Sequence, residues 1–256
     1  LRDKYLQLGG ELQLGCGVSA IHTDADGGVS AVDLDDGATA AAVKVISSIG
    51  YVETLRLCGS PWADADDHPV GRVSFTESIF VLDRPPRDLG FDKSIVFFCT
   101  QPRFTYRVPE EPVDVRSGVL CCPNNFRYDQ DSPEGCLRLT NLANFDFWST
   151  LQRPDYLREK KQWRERALAQ SRNFFPDFRD SVVFLDTFTP KTIFRYTGHL
   201  NGAVYGSPRK IKSGITPVKN LYICGTDQGF LGIVGATLSG ISMANLHILK
   251  GKAASL

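Results

Sequence analysis

Asn220 to Asn245 reads NLYICGTDQGFLGIVGATLSGISMAN. Leu221, Tyr222, Ile223 and Cys224 form a short apolar run that meets Gly225. Asp227 follows, then Gly229, Gly232 and Gly235, then an apolar small-residue segment to Met243. The pattern predicts a buried strand, a glycine-rich turn and a helix whose N-terminus faces the turn. Unpaired amides and the helix dipole make such a turn a place for an anionic or electron-rich ligand. Asp227 suits sugar-like hydroxyls, and Gly232 and Gly235 let backbone amides approach closely. The same spacing also suits a core strand and helix packed through glycines, and spacing alone does not choose.

Working outward, the 256 residues allow one large domain or two small ones. The chain is 42% hydrophobic and 23% charged, an ordinary globular composition. Its formal net charge is zero, which gives no electrostatic case for nucleic acid or for an anionic membrane. No apolar run approaches the ~20 residues of a membrane span. The opening LRDKYLQLGG lacks a signal-peptide pattern. It holds Leu1, Tyr5 and Leu8 on one helical face with no cap signal, so the chain reads as a piece of a longer protein lacking an N-terminal portion. Seven cysteines with no CxxC pair argue against a zinc site or a disulfide framework. No metal site is expected.

Residues 11–48 read as a β-meander: strand-like ELQLGCGVSAIHT, a turn at Asp24–Gly28, VSAVDL, a turn at Asp35–Gly37, and a return run VKVISS. Between about 50 and 216 prolines cluster around strand-like VSFTESIFVL, SIVFFC and CLRLTNL. An amphipathic helix is expected from Pro154 to Phe175, a strand at VVFLDTFTP, and a glycine-punctuated loop at IFRYTGHLNGAVYGS. That loop gathers pocket-type side chains, although a lone His199 more often serves structure than chemistry. The layout is two pieces of one domain, 1–50 and 216–256, around an inserted domain, 51–215.

The stretch NLYICGTDQGFLGIVGATLSG resembles the C-terminal flavin-binding motif of the phytoene desaturase family, which includes carotenoid isomerases and retinol saturases. LGGELQLGCGVSAIHTDADGGVSAVDLDDGATAAAVKVISSIG is similar to that family's middle segment, and TPKTIFRYTGHLNGAVYGS to the loop before its last flavin segment. The three matches lie in the family's order. The resemblance implies an α/β fold: a Rossmann-like three-layer FAD-binding domain, incomplete at its N-terminus, with an inserted substrate domain of mixed sheet and helices. It implies FAD as cofactor. Val18 would meet the adenosine part through its backbone. Gly225 and Asp227, with Thr226 between them, would hold the pyrophosphate and ribityl region. Gly232, Ile233 and Val234 would bring amides to the flavin's pyrimidine edge. The family's N-terminal GxGxxG turn does not occur in these residues.

The implied activity is hydride transfer between flavin and a long apolar, carotenoid- or retinoid-like substrate, as desaturase, saturase or isomerase. An apolar substrate calls for an aromatic pocket, with Phe194, Tyr196, His199, Tyr205 and Phe230 as candidates. No catalytic acid or base is assigned. The expected partners are that substrate and the N-terminal portion of the same protein, with peripheral membrane contact for substrate access. The expected location is cytoplasmic or peripheral to a membrane. The piece alone is expected to be inactive. Two other readings stand: an amine-oxidase-like flavoenzyme with a polar substrate, and a non-enzymatic binding protein on the same fold.

Overall fold

A computed structural model describes residues 1–63, 68–127, 129 and 134–249. In chain order it has helix α1 (Arg2–Gln7), strands β1 (Val18–Thr23), β2 (Val29–Leu34), β3 (Thr39–Ala41) and β4 (Val45–Ser47), and helix α2 (Tyr51–Leu57). Strands β5 (Ser74–Leu82), β6 (Ile95–Cys99), β7 (Ser117–Cys121) and β8 (Gly135–Ala143) follow, then helices α3 (Phe145–Thr150) and α4 (Arg153–Ser171). The chain continues through β9 (Val182–Phe188), α5 (Pro190–Thr197), β10 (Leu221–Ile223) and α6 (Gly232–Met243), which runs into a π-helical turn, Ala244–Leu249. Two compact units result: a discontinuous one, Leu1–Pro69 with Ser207–Leu256, and a continuous one, Val70–Gly206. Residues 51–69, read from the sequence as the start of the inserted domain, fall in the discontinuous unit.

In the discontinuous unit β1, β2 and β3 form an antiparallel meander, and β10 pairs with β4 in parallel. Non-local parallel pairing demands strands that are buried, and Leu221 and Ile223 are fully so. They share a core with Ile21, Val29, Tyr51, Leu55 and Val218. Register shifts lie between Val18 and Ala20 and between His22 and Thr23, and Ile21, between Ala20 and His22, is the β1 residue that reaches the core. Helix α1 buries nothing.

The continuous unit is a five-stranded sheet in the order β6-β7-β8-β5-β9, with every pairing antiparallel. Strand β5, between β8 and β9, alternates strictly between buried and half-buried residues. On one face Phe80, Leu82, Leu120, Leu137 and Leu139 pack with Ala167 of α4 and with Phe91 and Phe178. Pro154 sits in the first turn of α4, and the helix stops at Ser171 rather than Phe175. A neighbouring cluster holds Trp148, Trp163, Val113 and Ala143, and the Trp148 indole donates to the Pro112 carbonyl at 3.0 Å. The segment expected to be a glycine-punctuated loop begins with a helix instead. Thr189 and Thr192 form a capping box for α5, Pro190 opens it and Gly198 ends it in the left-handed region.

One further difference concerns apolar length. Gly232–Leu249 is an 18-residue helical segment with mean hydropathy 1.4, long and apolar enough to cross a membrane by length and composition. The sequence reading missed it because Ser, Thr and Asn interrupt the run without adding charge.

Leu137→Ala should lower unfolding stability by about 2–5 kcal/mol, through lost transfer energy and a residual cavity. Val183→Ala, at an exposed position of β9, should stay within about 0.5 kcal/mol. Urea unfolding followed by tryptophan fluorescence measures both; equal losses would contradict the assignment of the core face.

Candidate functional site

In the discontinuous unit β10 delivers the chain to Gly225, whose φ of 86° only glycine adopts readily. A single 3-10 turn, Thr226–Gln228, leads to Gly229 and then to α6. The turn is fastened to the helix behind it. The Gly225 N–H donates to Ser239 Oγ at 2.6 Å, and the Ser239 hydroxyl donates to Gln228 Oε1. Gln228 Nε2 in turn donates to the Lys212 carbonyl at 3.0 Å.

Asp227 is 2% exposed. Its Oδ1 accepts the Ser207 N–H and its Oδ2 the Tyr51 N–H, each at 2.7 Å. Tyr51 opens α2, so the carboxylate also stands at the positive end of that helix. The geometry shows Asp227 joining three chain segments. Beside it, burial lowers the Lys210 pKa, and the Asp227 charge acts in the opposite sense.

The start of α6 differs in character. No side chain caps it, Ile233 is 89% exposed and Val234 74% exposed. Gly232 has φ 73°, and the space where a Cβ would stand at Gly225 and at Gly232 is open for 4 Å. Backbone amides there are approachable by a flat, electron-rich ring edge, which suits the expected role of Gly232, Ile233 and Val234. Thr226 lies in the turn between the two openings. Val18 is exposed at the start of β1, opposite Leu34.

The continuous unit holds a cavity of about 720 Å³ on the sheet face opposite α4. Strand register builds its floor. Phe97, Val119, Thr140 and Glu77 stand side by side across β6, β7, β8 and β5. Phe75, Leu142, Ile95 and Cys121 extend that floor, and Phe104, Tyr106, Val204 and Tyr205 wall it. The Tyr205 ring packs edge-on to Phe75 at 5.9 Å. Burial raises the Tyr106 pKa, with a smaller contribution from nearby Tyr205. Glu77 is the acid among the lining residues. Its Oε1 receives Arg138 Nε at 2.7 Å, and its Oε2 the Thr140 hydroxyl at 3.2 Å. A separate hollow of about 220 Å³ is lined by charges of both signs, including Arg103, Arg107, Glu110 and Glu111.

Of the five residues expected to line a substrate pocket, Tyr205 lies in the large cavity. Phe194 packs on Phe145 with centroids 5.7 Å apart, and Tyr196 is exposed beside Arg195. His199 is buried just after α5, and its N–H donates to Thr197 Oγ1. Phe230 belongs to the other unit. The sequence reading missed Phe75, Glu77, Phe97 and Tyr106. A signal was present in VSFTESIFVL, where a carboxylate occupies one face of an otherwise apolar strand. Among the described residues no group of three or more His, Cys, Asp or Glu could hold a metal ion. The seven cysteines are free thiols, and burial pushes Cys122 up to about 12.

Asp227→Ala strips the acceptor from two buried amides, at about 1–3 kcal/mol each. Thermal unfolding should show a clear fall in Tm, with Asp227→Asn intermediate. An unchanged Tm in the alanine variant would remove Asp227 from its joining role. In a second test, iodoacetamide at pH 8 should leave Cys122 unlabelled in the native protein and label it after denaturation, because the neutral thiol is both buried and unreactive.

No family model matches the chain. Prolycopene isomerase 2, chloroplastic, of an Oncidium hybrid cultivar is 26% identical over 126 residues, 44% of this chain and 21% of the isomerase. All-trans-retinol 13,14-reductase of Danio rerio is 26% identical over 135 residues, 44% of this chain and 22% of the reductase. The match thus spans about a fifth of the length of these curated relatives. Among solved structures, a putrescine oxidase triple mutant with redesigned cofactor binding superimposes with a TM-score of 0.57 at 15% identity, over 94% of this chain and 50% of the oxidase. The chain is thus similar in part of its sequence to these two enzymes, and it shares the fold of a flavin-dependent type of oxidase over half of that protein's length.

Proposed function

We propose that the protein carrying this chain is an FAD-dependent oxidoreductase that moves hydride between flavin and a long apolar substrate. The observation that carries the reading is the Gly225–Val234 turn and helix start. It has approachable amides, an uncapped helix N-terminus and open space at two positive-φ glycines. These residues fit the edge of a flavin ring. Bound FAD would supply the hydride donor or acceptor. The chain's own contribution is to hold the turn rigid through Ser239 and Gln228, and to offer helix-dipole stabilisation where negative charge develops on a reduced ring. No GxGxxG spacing occurs in these 256 residues, so residues outside them would hold the pyrophosphate. These residues alone would then bind FAD weakly or not at all. The aromatic cavity of the continuous unit has the size and lining of a site for an apolar molecule.

The fold likeness to putrescine oxidase favours looking at an amine substrate as well. An amine-oxidase-like site needs a buried carboxylate for the ammonium. The acid that reaches the cavity, Glu77, is already matched by Arg138. That observation supports the apolar reading.

The whole protein should purify with bound flavin, or gain thermal stability on adding FAD, by about 2.7 kcal/mol at a hundredfold excess over Kd. Gly232→Ala places a methyl group in the open approach and forces an L-residue to φ 73°. It should weaken FAD binding at least tenfold. A protein that purifies colourless and shows no Tm rise with FAD would sink the enzyme reading and leave the binding-protein alternative.

A further inference from the structure

The cavity floor carries one carboxylate, Glu77, in a largely apolar, aromatic setting. Along one cross-strand row stand Phe97, Val119, Thr140 and Glu77. The next row places Ile95, Cys121, Arg138 and Ile79 in line. The Glu77 side chain is 20% exposed, on the interior strand β5. The Arg138 side chain is 45% exposed and does not line the cavity, so Glu77 is the charged group that the lining presents to a ligand. A carboxylate set on an apolar cavity wall fixes the orientation of what binds there.

The donor and acceptor count says what could be recognised. Arg138 sends both Nε and Nη2 to Oε1 of Glu77, at 2.7 and 2.5 Å. Thr140 supplies one hydroxyl to Oε2. A carboxylate has about four acceptor sites, so one remains, on Oε2. The charge of Glu77 is matched, so an ammonium gains little there. Arg138 does not line the cavity, so an anionic head would meet the Glu77 carboxylate with no cation facing it. A neutral hydroxyl can donate to the remaining site at no charge cost, and a charge-assisted O–H···O bond is strong.

We propose that this cavity binds an apolar chain or ring molecule ending in a hydroxyl, with the hydroxyl donating to Glu77 Oε2 and the apolar body lying on Phe75, Phe97, Leu142 and Tyr205. Arg138 and Thr140 are positioning residues that hold the carboxylate. The inference rests on the proposed function only in taking this ligand as the substrate; the binding itself needs no flavin.

The experiment is displacement of an environment-sensitive apolar dye from the flavin-free chain by decane, 1-decanol, decanoate and decylamine. Decanol should compete at least tenfold more tightly than each of the others. In the double variant Glu77→Leu with Arg138→Met, dye binding should persist and the decanol preference over decane should shrink to within twofold. Glu77→Gln gives a second reading independent of that double change: decanol should weaken at least threefold while decanoate strengthens, because the facing negative charge is gone. A purely structural lesion would not strengthen any ligand. Equal binding of decanol and decane in the unaltered chain would overturn the proposal. So would tighter binding of decanoate or decylamine, a decanol preference surviving in the double variant, or absence of dye binding. Failure of FAD to bind the whole protein would strike the redox reading and leave these binding results standing.

Discussion

Two backbone amides far apart in sequence end on one carboxylate: Tyr51 N–H and Ser207 N–H both donate to Asp227. The discontinuous unit consists of two chain segments separated by the whole of Val70–Gly206. Something must set the return of the second segment against the first, and closing so long a loop is entropically unfavourable before any contact forms. Parallel pairing of β10 with β4 does part of this through the core. Asp227 does the rest at the place where the glycine turn begins. Its neighbour Ile211 donates to the Asp227 carbonyl, so side chain and backbone of one residue organise three loops. The turn's own amides close on it as well: the Gln228 and Phe230 N–H groups donate to the Gly225 carbonyl and the Gly229 N–H to the Thr226 carbonyl, which leaves the approachable amides at the start of α6.

That division explains an apparent conflict in the motif. A carboxylate is a poor companion for a pyrophosphate, since like charges at short range repel. Asp227 is compatible with an anion-attracting turn only if its charge is spent elsewhere. The structure spends it on the first turn of α2 and on the Ser207 amide. Ser239 and Gln228 make the matching arrangement on the α6 side. The glycines then carry approach, and the polar side chains carry rigidity.

Much of the fold was legible because it rests on period and punctuation. Strands β5 and β8 and helix α4 follow runs whose apolar residues recur along one face, and β10 and α6 follow apolar runs punctuated by glycine. What escaped were short elements defined by caps. Helix α5 has eight residues, too few for periodicity to show, and its evidence is Thr189, Pro190, Thr192 and Gly198 at their fixed offsets. Helix α2 was hidden likewise, between Gly50 and Gly59. The turn of the candidate site was readable because glycine spacing reports backbone geometry directly. The cavity was not, because its rows join residues from four strands, and register between distant strands is not written in any one of them.

The same register argument bears on how the continuous unit divides its labour. In β5 the residues at even offsets from Ser74 face the α4 side, where Ser78 bonds Thr187 and Phe80 and Leu82 fill the core. The odd set, Phe75, Glu77, Ile79 and Val81, is left for the other face. Stability needs only the first set. A slip of one residue would exchange the two faces, sending Glu77 into the core beside Leu137 and Leu139. A carboxylate there would lose its water and its partners at once. Glu77 thus penalises the wrong register of β5, while in the right one it stands beside Thr140 on the cavity floor and pairs with Arg138. One residue serves both the pairing of the sheet and the chemistry of the face that the core leaves open.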